Sequence, residues 1–144
     1  MPLEVAQIRR RVQVRLTDLK KVAAARRERV AAAEAAYETF LAGIALPTLT
    51  TFAQALSAEA YPYRVLTPGG SARLSSDRSN KTYVEIRLDT SARIPSIIGE
   101  ISRERGHRLV TDDRVLAEGT PIEAITDEML VEFLLDAMAE LIER

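Results

Sequence analysis

The residue types that most often carry catalysis are few and scattered in this sequence. His107 is the single histidine and cysteine is absent, so the three or four converging ligands that zinc needs have no cluster to supply them. Ser102, His107 and Asp112 are the residue types of a hydrolytic triad, but no G-x-S-x-G elbow accompanies them. We therefore predict no catalytic residue, no metal site and a protein that is not an enzyme.

Two further patterns indicate turns rather than chemistry. Asp112 and Asp113 are adjacent, and neighbouring residues on a strand point to opposite faces, so they are poorly placed to act as paired carboxylates. Gly69 and Gly70 form the only glycine pair and lack the spacing of a phosphate-binding loop. We predict no cofactor and no cofactor-binding residue.

The distribution of charge is more informative than its total. The net charge is −1, yet residues 1–30 carry nine Lys or Arg against three acids, while residues 115–144 carry eight acids against Arg144. Such an asymmetry indicates either a basic arm that binds nucleic acid or two chain ends that pair with each other.

Residues 3–44 predict one long amphipathic helix, because they are rich in Ala, Arg, Glu and Leu, which are good helix formers. Their apolar residues recur about every 3.5 positions, as in coiled coils. At 1.5 Å per residue the helix would be roughly 60 Å long, so part of it must project from the body and needs a partner. The interface residues predicted along this apolar stripe, which Arg26 interrupts, are Val5, Ile8, Val12, Leu16, Leu19, Ala23, Val30, Ala33, Tyr37 and Leu41.

The last helix is predicted over residues 127–143, and its acidic residues repeat every fourth position, where like charges repel. An antiparallel arrangement with the basic N-terminal helix, within one chain or between two, would relieve this repulsion. The alternative is that both are solvated faces that contribute little to stability. The residues of the predicted pairing are Arg9, Arg10, Arg11, Arg15, Glu132, Asp136, Glu140 and Glu143.

The middle of the chain changes to strand patterns. Gly43 and Pro47 are expected to break or kink the long helix, and a short second helix should follow and end near Glu59. Alternation predicts strands from Tyr63 onward, clearest over residues 82–89. Residues 94–105 fit both a helix and a strand; we favour a strand that turns back at Gly106.

These elements predict an α+β fold with a long, coiled-coil-like N-terminal helix, a short second helix, a small antiparallel sheet of about four or five strands and a C-terminal amphipathic helix. We expect a single domain over residues 1–144. Residues 1–45 are the helix used for packing or oligomerisation, and residues 46–144 are the α+β body.

The sequence favours a non-enzymatic protein–protein interaction or assembly module that forms a homo-oligomer, with a dimer favoured, through the N-terminal helix. A further protein partner is compatible with this interpretation. The alternative is a nucleic-acid-associated regulator that uses the Arg-rich helix, although the sequence pI of 5.9 and the scarcity of aromatic residues count against it. Because charges interrupt the first apolar positions, we expect no signal peptide. We also expect no uncharged stretch of the roughly 18 residues that could cross a membrane, and therefore no membrane association and a cytoplasmic location.

Overall fold

This computed structural model describes residues 2–142. Helices precede and follow a meander of strands. The predicted α+β fold is confirmed, although coiled-coil pairing is not shown. The elements are α1 (Val5–Phe40), a π-helical segment (Leu41–Ala45), α2 (Leu46–Ala58), β1 (Tyr63–Leu66), β2 (Ala72–Ser76), β3 (Tyr83–Asp89), β4 (Ser96–Arg105), β5 (Arg108–Val115) and α3 (Asp127–Leu141).

The five strands form one antiparallel sheet in the order β1-β2-β3-β4-β5. Residues 96–105 are a strand, so the strand interpretation of this ambiguous segment is confirmed. Arg105 pairs with Arg108 across a two-residue turn in which Gly106 has a φ of 62°. A positive φ is accessible to glycine without a steric penalty, which explains the residue at this position.

One face of the sheet is covered by helices. Buried side chains of α2, such as Leu49, pack against β1 and β2, while Leu130 and Leu134 of α3 belong to the same core. Gly99 of β4 lies directly beneath Phe133, and a Cβ atom at this position would overlap the Phe133 ring. The absence of a side chain at position 99 therefore sets how closely α3 approaches the sheet.

Of the break or kink expected near Gly43 and Pro47, the break is wrong, because α1 passes through a π-helical segment directly into α2. The backbone N–H of Leu46 donates to the carbonyl of Leu41, which gives a π-helical turn that passes directly into α2. Pro47 has no N–H to donate to Gly43, and its ring crowds the carbonyl four residues earlier. The wider turn accommodates this crowding and keeps the helix continuous.

The expectation of no apolar stretch long enough to cross a membrane also needs correction. Residues 39–58 carry no charged side chain, and the continuous helix Val5–Ala58 contains a window with a mean hydropathy of 1.3 that meets the length and composition of a membrane span. Within this stretch Phe40, Leu49 and Leu56 are buried in the core of the chain itself. Burial accounts for the apolar character of these three residues, whereas 28% of the window as a whole is buried.

Candidate interaction surface

The first part of α1 projects from the rest of the molecule, and we call residues 5–25 the arm. At 1.5 Å per residue the arm is roughly 30 Å long. The Arg26 guanidinium donates a 3.0 Å hydrogen bond to the carbonyl oxygen of Thr90 in the loop after β3, and from Val30 onward the stripe is half-buried or buried. The body therefore meets the helix at about Arg26, and the arm lies beyond it.

The stripe is uncovered along the whole arm. Val5, Ile8, Val12, Leu16 and Leu19 are each between 47% and 82% exposed, and Ala23 is exposed as well. A run of aliphatic side chains on one face is costly to leave in water, and such patches mark sites of association.

The other half of the stripe is covered by its own chain. Tyr37 is buried, and Val30, Ala33 and Leu41 are half-buried. These four predicted interface residues therefore serve the fold and present little surface to a partner. The stripe is one continuous face of α1. Its lower half, from Val30 onward, packs on the body, and its upper half, along the arm, is open to solvent.

Tyr37 anchors the lower half of this face. Its hydroxyl donates to the carbonyl oxygens of Gly70 at 2.9 Å and Ile86 at 3.3 Å. Burial, with a smaller effect from the negative charge of Glu85, raises the pKa of Tyr37 from 10.0 to about 12. The neutral phenol is thus held in place and fixes the direction in which the arm leaves the body.

Arg26 is the residue that sequence reasoning interpreted only as an interruption of the stripe. It occupies a stripe position where the helix meets the body, and its long side chain reaches the Thr90 carbonyl. A charged group with a flexible apolar stem suits such a boundary, because the stem packs while the head finds a polar partner. A single charge inside an apolar series was the only signal of this role.

The predicted electrostatic pairing does not form within one chain between the side chains that the structure describes. Among the described residues, none of the basic side chains assigned to it makes an ion pair with an acid. Glu140 instead accepts from Arg114 of β5 at 2.7 Å, Glu132 and Asp136 are exposed, and Glu143 lies outside the described residues. The unpaired basic residues are Arg9, Arg10, Arg11 and Arg15, all exposed.

The side chains considered for catalysis are not brought together. The Ser102 hydroxyl is buried and donates to the Lys81 carbonyl at 2.7 Å. Because Ser102 is paired with Thr111 on β5, the next residue, Asp112, points to the opposite face. His107 is exposed in the β4–β5 turn, and the described residues contain no group of three His, Asp or Glu side chains placed to hold a metal ion.

Comparison with known proteins finds no matching family model, no similar curated protein and no similar solved structure.

Proposed function

We propose that this protein is a homo-oligomeric assembly module that associates through its N-terminal arm, most simply as a dimer. The exposed half of the stripe carries this proposal. Its aliphatic side chains lie on the same face of the helix as those that pack on the body. The arm therefore has an apolar face of the kind that is normally buried, and that face is uncovered. A second copy would supply the missing cover.

The rigidity of the arm supports the same proposal. The arm continues without interruption into a helix that is anchored by Tyr37 and Arg26, so its direction is fixed before a partner arrives. A preorganised surface loses less conformational entropy on binding than a flexible tail does.

The test compares two matched substitutions in the full chain. Val12 and Val14 are 49% and 58% exposed, and they differ mainly in that Val12 lies on the stripe and Val14 on the opposite side of the helix. Val12→Asp should convert dimers into monomers in light scattering, whereas Val14→Asp should leave the mass unchanged. Equal masses for the two variants at every concentration would contradict the proposal.

A second candidate function, association with nucleic acid, is favoured by the free basic side chains of the arm. Arg10 and Arg11 are exposed and make no ion pair with the described residues, so they are available to phosphates. This function predicts a rise in fluorescence anisotropy of a labelled duplex that disappears as salt is raised. Arg10→Glu with Arg11→Glu should abolish that rise without converting the protein into monomers.

A further inference from the structure

The open stripe has the length and the pattern to receive a second arm that runs in the opposite direction. We propose that two copies pair through antiparallel arms about a two-fold axis located between Thr17 and Asp18. This inference rests on the proposed self-association and adds its direction and its register. The body of each copy then lies at an opposite end of the paired arms.

The direction follows from where the body sits. Leu16, Leu19, Ala23, Val30 and Tyr37 occupy one face of α1, and that face is exposed up to Ala23 and covered by the body from Val30 onward. A parallel partner on this face would run into the space that the body occupies. The helix of an antiparallel partner ends there, because α1 begins at Val5 with Glu4 as its N-cap.

The register follows from matching one stripe with the other. When Leu16 faces Leu19 of the second copy, Val12 faces Ala23 and Val5 faces Val30. Each of these three layers joins two apolar residues, as in the core layers of a coiled coil, and half-buried Val30 contributes only the part of its side chain that the body leaves uncovered. The tip at Val5 then lies beside Val30, so each arm covers the whole exposed stripe of the other.

The charged residues that flank the stripe agree with this register. An arm with so many basic residues repels a second arm wherever two of them meet. In the proposed register each flanking cation meets an uncharged side chain: Arg15 faces Val22, Lys20 faces Gln13, Arg27 faces Ala6 and Arg29 faces Ile8.

One layer is not apolar, because Arg9 faces Arg26 of the second copy while the stripe residue Ile8 lies at the flank of this layer. The Arg26 head is already turned toward the body by its bond to Thr90, which leaves room for the Arg9 head to extend into water. A register one heptad shorter is less favourable, since it would place Arg15 against Arg15 and Leu19 against Arg9. The charge pattern therefore selects the register centred between Thr17 and Asp18.

Disulfide cross-linking tests direction and register together, because the described chain has no cysteine of its own. An equimolar mixture of Val12→Cys and Ala23→Cys should form a mixed disulfide of twice the chain mass under mild oxidation. Each variant alone should stay uncross-linked, because in the proposed register two copies of either position are offset by roughly 16 Å along the helix. A disulfide requires Cα atoms within about 7 Å.

The control is a mixture of Val12→Cys and Leu16→Cys, two positions that would meet only in the shorter register. A cross-link in this control, or disulfides from either variant alone, would overturn the proposed geometry. The masses of the same variants, measured under reducing conditions, distinguish a wrong geometry from an absence of self-association. Dimers with the wrong cross-links leave self-association standing, whereas monomers at all concentrations overturn both proposals.

Discussion

Truncation of Leu16 measures how much of the dimer's stability comes from the centre of the stripe. Leu16 is 49% exposed in the single chain, so about half of its side chain remains to be covered by a partner. Complete burial of a leucine side chain contributes roughly 1.5–3 kcal/mol. The uncovered half therefore corresponds to about 1 kcal/mol in each copy, and Leu16→Ala should weaken the dimer by about 2 kcal/mol, since both copies change.

In terms of affinity, this change raises the Kd about 30-fold, because each 1.4 kcal/mol is a factor of ten. Sedimentation equilibrium of the full chain at several loading concentrations gives the two dissociation constants directly. Leu16 lies outside the core of the single chain, and Ala is the better helix former, so the folded monomer should be unaffected.

The matched control is Val14→Ala, which shortens an exposed side chain on the opposite side of the arm. Its Kd should stay within a factor of two of the parent's. If both variants weakened the dimer equally, or if neither did, the stripe would not be the contact and the reasoning would be refuted.

Four further predictions test other parts of the account. Raising NaCl from about 0.05 to 0.5 M should tighten the dimer in sedimentation, because salt screens the repulsion between two basic arms; pairing of the arm with acidic residues of α3 would respond in the opposite direction. Arg9→Glu should lower the Kd by roughly tenfold in the same assay, since it replaces a like-charge layer with an attraction to Arg26; a weaker dimer would count against the register. Gly99→Ala should lower the unfolding free energy in urea by about 2 kcal/mol, because the new methyl group collides with the Phe133 ring, and Phe133→Leu should restore part of the loss; unchanged stability would contradict the close approach. Burial raises the pKa of Tyr37 from 10.0 to about 12, so the folded chain keeps a proton that the unfolded chain loses. The free energy of unfolding should therefore fall by roughly 2 kcal/mol as the pH rises from 10 to 12. Tyr37→Phe should reduce this alkaline loss in urea titrations, and an identical pH profile for the variant would exclude Tyr37 as its source.

Much of the fold could be predicted from local patterns. The strict alternation of Val84 and Ile86 with Glu85 and Arg87 is typical of a strand with one buried face, and β3 has that form. Thr126 is a residue type favoured at helix N-caps, and its hydroxyl accepts a bond from the Met129 N–H at 3.3 Å. Such features depend on neighbours within a few residues, which the sequence displays directly.

Features that depend on distant contacts were predicted poorly. The π-helical turn replaces a break because the helix packs on the body on both sides of Pro47, through Phe40 before it and Leu49 after it. The division of the stripe between fold and surface depends on where the sheet lies, and periodicity alone does not reveal this. Likewise, Arg114 lies next to Glu140 only because β5 and α3 meet in three dimensions.

The most direct test of self-association through the arm is the solution mass of the intact chain by light scattering across a range of concentrations. We expect the mass to rise with concentration toward twice the chain mass of 16.0 kDa, and we expect Val12→Asp to keep the chain at the single mass. A constant mass of one chain at every concentration, with the arm helical and its stripe in water, would contradict it.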